Sequence, residues 1–288
     1  MIGVADSRAN PGDIKALNDE RHLYIWLDIL GFSKEVEERE NDKESETEIE
    51  KILNDFRAIF IETLMGKTLQ ELEEFKEKTI KTENNQGEEK DRLLIEDGRM
   101  ISDGIVLDLG SLIGIANNLK DIFYEIGIRQ IFFMTKYKRL IRGGIALGKT
   151  ILGRQNEHDG RSQSNQDKQH YVSSGLTQAY GIESKKVSWP IIATTEKHMK
   201  KIQNHIKVES LFGLKQAFNQ YGEKIYFIDF LQDTHQQDQY IDFLNKLLSK
   251  EVGGNNHIVC GKILWLIKHY HEKHKIPSNH PLLDGVAL

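Results

Sequence analysis

The chain has 288 residues, a formal net charge of -5 and a single cysteine, Cys260. This length suits one domain of about 180 to 200 residues with an extension, or two small domains. The negative net charge gives no support for a nucleic-acid-binding surface, so a polyanionic substrate would need a local positive site. One cysteine excludes an intramolecular disulfide framework and any multi-cysteine zinc site.

Residues 1–20 are polar and include Pro11 and Gly12, which predicts a loose N-terminal arm. This segment lacks the basic start and the apolar core of a signal peptide. No run in the chain approaches the roughly 18 apolar residues that a membrane span needs. We therefore expect a soluble, cytoplasmic protein that binds neither membrane nor nucleic acid.

The first predicted strand lies in the stretch at residues 22–33, an apolar run that contains Asp28 and breaks at Gly31. A carboxylate at the end of a buried strand is costly unless a partner compensates its charge, and a bound cation is the usual partner. The acidic run at residues 34–50 is typical of a solvated face or loop. Apolar residues then recur at steps of three and four over residues 49–65, which predicts an amphipathic helix.

A second carboxylate, Asp103, stands beside a glycine in another apolar run at residues 101–109. The dipeptide Asp97-Gly98 separates this run from residues 93–95, and a hairpin results if the turn forms there. Asp103 would then lie near the start of the second strand of the hairpin.

The remaining elements complete a sheet with helices. Residues 112–126 and 174–184 have helical patterns, residues 140–149 form a strand containing Gly143 and Gly144, and Pro190 marks residues 187–193 as an edge strand. This order predicts an α+β fold with the helices on one face of the sheet. Beyond residue 196, a short apolar run at 226–231 and helices at 240–248 and 258–274 predict an α-rich extension packed on the first domain.

Asp28 and Asp103 have two interpretations when judged from the residues alone. Two acids on adjacent strands repel each other, so keeping both ionised favours one or two divalent cations with oxygen ligands, Mg²⁺ or Mn²⁺. Either acid could instead serve as a turn or cap residue, since Asp beside Gly is common in turns.

Three segments resemble class III nucleotidyl cyclases. Residues 28–33, Asp-Ile-Leu-Gly-Phe-Ser, are similar to the first-strand signature of that family. Residues 101–104, Ile-Ser-Asp-Gly, resemble its second metal-aspartate hairpin, and residues 142–148 resemble its later strand, Arg-x-Gly-Ile-x-x-Gly. The segments occur in the family's order, and the resemblance covers roughly residues 21–197.

This resemblance implies a ferredoxin-like βαββαβ core, with an N-terminal arm at 1–20, a catalytic domain at 21–200 and a C-terminal extension at 201–288. It implies two Mn²⁺ or Mg²⁺ ions per site, held by Asp28, Asp103 and the carbonyl of Ile29. The family forms its sites where two domains meet, so the resemblance also implies a homodimer.

The resemblance also implies how a nucleoside triphosphate would bind. Residues 30–33, including Gly31, Phe32 and Ser33, would lie under the triphosphate with backbone N–H groups facing its oxygens. Arg99 occupies the place where purine cyclases have a base-reading lysine, and Lys197 is a possible triphosphate contact.

The chain departs from most cyclases at the transition-state arginine, where it has Gly181. Loss of that arginine should cost several kcal/mol of charge stabilisation unless another cation replaces it. Arg142 or Lys185 could do so, and we assign Arg142 a catalytic role beside Asp28 and Asp103.

The base-reading positions also differ, which indicates a changed base. Segments around Tyr180, Trp189, Tyr226 and Lys262 resemble the pyrimidine cyclases of bacterial antiphage Pycsar systems. That resemblance implies conversion of UTP, or CTP, to the 3′,5′-cyclic monophosphate and pyrophosphate, with uridylate favoured. The product would act on a separate cyclic-nucleotide-sensing effector in antiphage defence.

Two other functions remain open. A catalytically silent cyclase-like protein that binds a nucleotide or a partner is favoured by the glycine at position 181. A two-metal phosphodiesterase or nuclease would also use paired carboxylates.

Overall fold

A computed structural model describes residues 21–38, 43–79, 94–153, 170–204, 214–230, 237–253 and 257–274. These residues form an α+β fold around a mixed sheet. The predicted N-terminal arm at 1–20 lies outside the described residues.

Eight strands are present in the described part of the chain. They are β1 (Arg21–Ile29), β2 (Asp97–Ile101), β3 (Gly104–Ser111), β4 (Ile141–Gly153), β5 (His170–Ser173), β6 (Ile192–Thr195), β7 (Leu214–Phe218) and β8 (Lys224–Ile228). Their order across the sheet is β2-β3-β1-β4-β6-β8-β7, and β5 pairs with the far end of β4. Neighbouring strands are antiparallel except β4 and β6, which are parallel.

The helices connect these strands and cover the sheet. They are α1 (Phe32–Glu38), α2 (Lys43–Arg57), α3 (Gln70–Thr79), α4 (Leu112–Ile115), α5 (Leu119–Tyr137), α6 (Ser174–Lys186), α7 (Glu196–Gln203), α8 (Gln237–Gly253) and α9 (His257–His274). A π-helical turn, Ala58–Glu62, continues α2. Within the described residues, none of these helices has the length and apolar character needed to cross a membrane.

Strand β1 is central and presents two different faces. Its alternate residues Leu23, Ile25, Leu27 and Ile29 are buried in a core that α2 and α5 help to form. The other face bears Tyr24, Trp26 and Asp28, and Tyr24 belongs to a second core that includes Ala179 of α6 and Trp265 of α9. Helices therefore cover both faces of the sheet, and the expectation that they cover only one is wrong.

Glycines in β4 explain why a helix can lie directly on the second face. A Cβ atom at Gly144 would lie 2.0 Å from the carbonyl oxygen of Ala179, and one at Gly148 would lie 2.1 Å from the backbone nitrogen of Gly175. Because any side chain at these positions would collide with backbone, the two glycines permit α6 to pack against the strand.

The β2–β3 turn differs from the one expected at Asp97-Gly98. Residues 97 and 98 lie inside β2, and the turn is formed by Ser102 and Asp103, with Ser102 at φ 56°. A Cβ at Gly98 would lie 2.7 Å from a side-chain carbon of Ile61, so this glycine allows close packing rather than a turn. Asp103 therefore lies in the turn that precedes β3 and not in the strand itself.

Two helices differ in extent from those predicted from the sequence. The helix expected at 49–65 begins earlier, at Lys43, and the acidic run at 34–50 is largely helical within the described residues. The helix expected at 112–126 is divided into α4 and a longer α5 that reaches Tyr137.

The C-terminal segment continues the same sheet. Strand β8 pairs with β6, so the sheet crosses the expected domain boundary at residue 200. Trp265 and Tyr270 of α9 are fully buried in the core beside Ala179. Among its described residues, the segment after residue 203 thus combines two sheet strands with two helices that pack on the core.

Candidate functional site

Asp28 lies near the end of β1, on the face that α6 covers. It pairs with Gly104 of β3 on one side and with Arg142 of β4 on the other. Side chains of directly paired residues point to the same face of a sheet, so Asp28 and Arg142 meet. A Cβ at Gly104 would lie 2.4 Å from the Trp26 ring, so the indole occupies the space above this glycine.

Asp103 reaches the same end of β1 from the β2–β3 turn. It immediately precedes Gly104, the cross-strand neighbour of Asp28. The hydroxyl of Ser33, in the first turn of α1, donates a 2.7 Å hydrogen bond to Asp103 Oδ2. The structure therefore brings together Asp28, Asp103 and Ser33, three of the residues selected from the sequence.

Arg142 connects Asp28 to a third carboxylate, that of Glu183 in α6. Arg142 Nη2 lies 3.4 Å from Asp28 Oδ2, and Arg142 Nε pairs with Glu183 Oε1. Glu183 is only 2% exposed. One guanidinium thus compensates two acids, because the strand pairing and the helix packing direct both toward it.

Both acids hold their protons more tightly than usual. Burial raises the pKa of Asp28 to about 6, against the opposing effect of Arg142, and the nearby Asp103 charge adds to the rise. Burial likewise raises the pKa of Glu183 to about 7, with Arg142 again opposing and Asp28 adding. The nearby cations therefore do not offset the cost of burying these two carboxylates.

Lys262 of α9 supplies a second cation near this group. Its charge lowers the pKa of Asp28, and burial followed by repulsion from Arg142 lowers the pKa of Lys262 itself. Sequence reasoning gave Lys262 no role. The available signal was a lone lysine in the otherwise apolar segment at residues 258–267, because such a residue needs compensation when its helix is buried.

Sequence reasoning gave Glu183 no role either. The sequence shows a carboxylate on the helix that follows the glycine-containing strand. The sequence does not show which part of the sheet this carboxylate faces, because that depends on how α6 packs. The structure shows that α6 lies on Gly144, which brings Glu183 to Arg142.

Four other residues predicted to bind metal or substrate lie at the junction of β1 and α1 or in β2. Gly31 forms an exposed left-handed turn at φ 77°, whereas the Phe32 side chain is buried and Ile29 ends β1. Arg99 pairs across the hairpin with Val106, which in turn pairs with Trp26, so Arg99 shares the Asp28 face. Its guanidinium Nε lies 2.7 Å from Asp97 Oδ2.

Lys197 does not join this group. Strand β6 is parallel to β4, and Ile192 at the start of β6 pairs with Gly143, the residue after Arg142. The C-terminal end of β6 therefore lies farther from Arg142 than its start does. Lys197 follows that end in α7, a helix whose Met199 packs in the core on the opposite face. This placement gives no support for a shared site with Asp28.

Gly181, at the position of the absent arginine, lies in α6, and a Cβ built there meets no atom within 4 Å apart from its chain neighbours and the backbone of its own helix. Its neighbour Tyr180 is about half exposed and meets the Trp26 ring edge-on at 5.2 Å between centroids. The open space at residue 181 contains no cation among the described residues within that radius.

Comparisons with known proteins add no family assignment. A scan of protein-family models finds no match to this chain, and a search of curated proteins finds none either. The function of the protein is therefore inferred from its residues and from their arrangement.

Proposed function

We propose that this protein is a nucleotidyl cyclase dependent on Mn²⁺ or Mg²⁺, which converts a pyrimidine nucleoside triphosphate to its 3′,5′-cyclic monophosphate. The observation that supports this most strongly is the convergence of Asp28 with Asp103. Asp28 lies near the end of a central strand, and Asp103 lies in the turn beside Gly104, the cross-strand partner of Asp28.

The strand order supports a cyclase-like core. Strands β2, β3, β1 and β4 are adjacent in that order, and all three pairings are antiparallel. With helices between β1 and β2 and between β3 and β4, this order matches the split βαββαβ arrangement of ferredoxin-like folds and supports the proposal. The fold alone does not specify a reaction, so the chemistry has to come from the site.

The residues present fit hard divalent cations. Asp28, Asp103 and Glu183 outnumber Arg142 and Lys262, which leaves the group negative when every member is charged. Carboxylate oxygens are the ligands that Mg²⁺ and Mn²⁺ prefer. Asp28, Asp103 and the Ile29 carbonyl would hold two ions, which when bound lower the pKa of the ribose 3′-hydroxyl and neutralise phosphate charge.

In the proposed reaction the ribose 3′-hydroxyl releases its proton to solvent water and its oxygen bonds to the α-phosphorus. The bond from that phosphorus to the oxygen bridging the α- and β-phosphates breaks, and pyrophosphate leaves with that electron pair. Arg142 would stabilise negative charge on the phosphates, taking the role of the arginine absent at residue 181. Glu183 holds the Arg142 guanidinium in place through their ion pair. Lys262 would supply further positive charge.

The choice of a pyrimidine, and of UTP over CTP, rests on the sequence resemblance. Arg99 shares the Asp28 face and would contact the base, with Asp97 orienting its guanidinium. We extend the proposal to a homodimer whose product acts on a separate effector in antiphage defence.

A silent cyclase-like binding protein is the second candidate. It is favoured by the ion pair between Asp28 and Arg142, because this pair already compensates a carboxylate that a metal ion would need. In that case a nucleotide or a partner protein would bind without being converted.

Incubation of the purified protein with UTP, CTP, ATP or GTP, each with Mn²⁺ and then with Mg²⁺, separates these candidates. We expect cyclic UMP or cyclic CMP and one equivalent of pyrophosphate, detected by chromatography and mass spectrometry. Absence of a cyclic product from all four nucleotides, or a yield unaffected by Asp103→Ala, would overturn the enzyme proposal. Hydrolysis of supplied cyclic nucleotide or nucleic acid would point instead to a two-metal phosphodiesterase or nuclease.

A further inference from the structure

A second group of potential metal ligands lies at the other end of β1. His22, Glu96 and Asp108 each direct one ligand atom into a cluster whose atoms all lie within 4.8 Å of one another. His22 Nδ1 is 3.0 Å from Asp108 Oδ1 and 3.5 Å from Glu96 Oε2. Strand residues rise about 3.3 Å each, so the cluster is about 20 Å from Asp28 and belongs to a different site.

The sheet fixes the three side chains from three directions. His22 lies near the start of β1, and Asp108 lies in β3 opposite Tyr24. Glu96 immediately precedes β2, and its backbone N–H donates a 2.8 Å hydrogen bond to the Asp108 carbonyl oxygen. The ligand positions are therefore set by backbone pairing rather than by long, mobile side chains alone.

Gly110 contributes in two ways to this arrangement. Its backbone N–H donates a 2.8 Å hydrogen bond to Asp108 Oδ1, which orients that carboxylate. It also adopts φ +89°, and a Cβ there would lie 2.9 Å from Glu96 Oε2. The positive φ favours glycine at this position, and the absence of a side chain leaves room for the Glu96 carboxylate.

We propose that His22, Glu96 and Asp108 bind one divalent transition-metal ion of the Zn²⁺ class. Ligand atoms about 2.0 to 2.2 Å from such an ion lie about 3 to 3.5 Å from one another, which is the separation that His22 Nδ1 keeps from both carboxylates. An imidazole nitrogen with two carboxylates favours Zn²⁺ or Mn²⁺ over Mg²⁺, and water would complete the coordination.

Asp108 is 3% exposed, so its carboxylate is held in a buried position. Its hydrogen bond from the Gly110 backbone N–H matches the contacts that commonly orient a ligating carboxylate. The ion would join β1 and β3 to the segment that leads into β2. Its expected effect is to stabilise the sheet at the end remote from Asp28.

The simplest competing explanation is a proton rather than a metal. A protonated His22 would form ion pairs with both carboxylates and would need no metal ion. The two explanations differ in whether the cluster takes up one equivalent of metal.

Titration of tag-free protein with Co²⁺ and with Zn²⁺ tests the proposal, in a variant carrying Asp28→Asn and Asp103→Asn. That background removes the carboxylates of the proposed cyclase site, so failure of one proposal does not affect the other. We expect one tightly bound equivalent of Co²⁺ with a visible absorption band, displacement by Zn²⁺, and a higher melting temperature with Zn²⁺.

Glu96→Gln should weaken Co²⁺ binding at least about tenfold and abolish the rise in melting temperature. Glu96 is exposed enough that this change should leave the fold intact, and His22→Gln provides a second variant. Glu196→Gln, an exposed glutamate in α7, is the matched control and should bind metal as the parent does. The proposal would be overturned if the protein did not bind a saturable first equivalent of Co²⁺, or if Glu96→Gln bound Co²⁺ with the same affinity as the parent. Ion pairs with a protonated His22 would then explain the cluster.

Discussion

Arg142 Nη2 lies 3.4 Å from Asp28 Oδ2 while the same guanidinium pairs with the buried carboxylate of Glu183. One cation therefore serves two acids whose pKa values are raised, to about 6 for Asp28 and about 7 for Glu183. Because the nearby cations do not offset the cost of burying these acids, the stability of the fold is connected to the proposed binding of divalent metal.

Stability should fall as the pH rises through the raised pKa of Asp28. Between its ordinary value of 3.8 and about 6, the folded protein binds more protons at Asp28 than the unfolded chain does, so the free energy of unfolding decreases with pH. Asp28→Asn removes this penalty and should make the metal-free protein about 2 kcal/mol more stable at pH 8. Urea unfolding of both proteins at pH 5 and pH 8 measures the difference.

The exposed residue Asp242 provides the control for that experiment. Asp242→Asn changes an acid that pairs with Lys246 on the surface and should leave the pH dependence as in the wild type. If the free energy of unfolding changed equally with pH in the wild type and in Asp28→Asn, the pKa of Asp28 would not be raised in the folded protein.

Arg142→Met should destabilise the protein by about 3 to 5 kcal/mol at pH 8, because the buried Glu183 and the partly buried Asp28 lose their shared cation. The loss should be smaller at pH 5, where both acids are largely protonated. In the double variant with Glu183→Gln, part of the stability should return. A double-mutant cycle by chemical denaturation measures this coupling, and strict additivity would contradict the pairing.

The packing of α6 predicts opposite effects for two glycine substitutions. Gly144→Ala places a Cβ against the Ala179 carbonyl and should cost about 1 to 3 kcal/mol or more, since the contact is with backbone. Gly181→Ala meets no atom within 4 Å and should stabilise the helix by up to about 1 kcal/mol. Thermal unfolding of the two variants tests this contrast, and a neutral Gly144→Ala would contradict the observed packing.

The sequence predicts the α+β class because strand and helix periodicities are local properties. It also identifies Asp28 and Arg142 as residues of apolar strands, but not their register, which depends on pairing between distant segments. The turn at Ser102 and Asp103 was misplaced because Asp97-Gly98 has the stronger local turn signal. Only tertiary packing shows that Gly98 accommodates Ile61.

Lys262 illustrates a second limit of sequence reasoning. Its position in an apolar segment is visible in the chain, yet its charge acts on Asp28, far away in the sequence. Helical periodicity shows that α9 has a buried face but does not identify the part of the sheet that it covers.

Lys262→Met tests whether α9 contributes to catalysis. Loss of this charge should reduce the rate of cyclisation by about tenfold, because less positive charge faces the developing charge on the phosphates. Lys246→Met, an exposed lysine of α8, should retain the wild-type rate. Steady-state rates with UTP and Mn²⁺ provide the comparison, and a wild-type rate for Lys262→Met would exclude a catalytic role.

The most direct test of the proposed two-metal cyclase measures the rate of cyclic UMP or cyclic CMP formation in Asp28→Asn and Asp103→Asn. Both substitutions preserve side-chain shape, and Asp242→Asn again serves as the control. With saturating Mn²⁺ we predict that each site variant loses about 100-fold to 1,000-fold in rate while the control keeps the wild-type rate. A folded Asp28→Asn or Asp103→Asn protein that forms the product at the wild-type rate would contradict the proposed site.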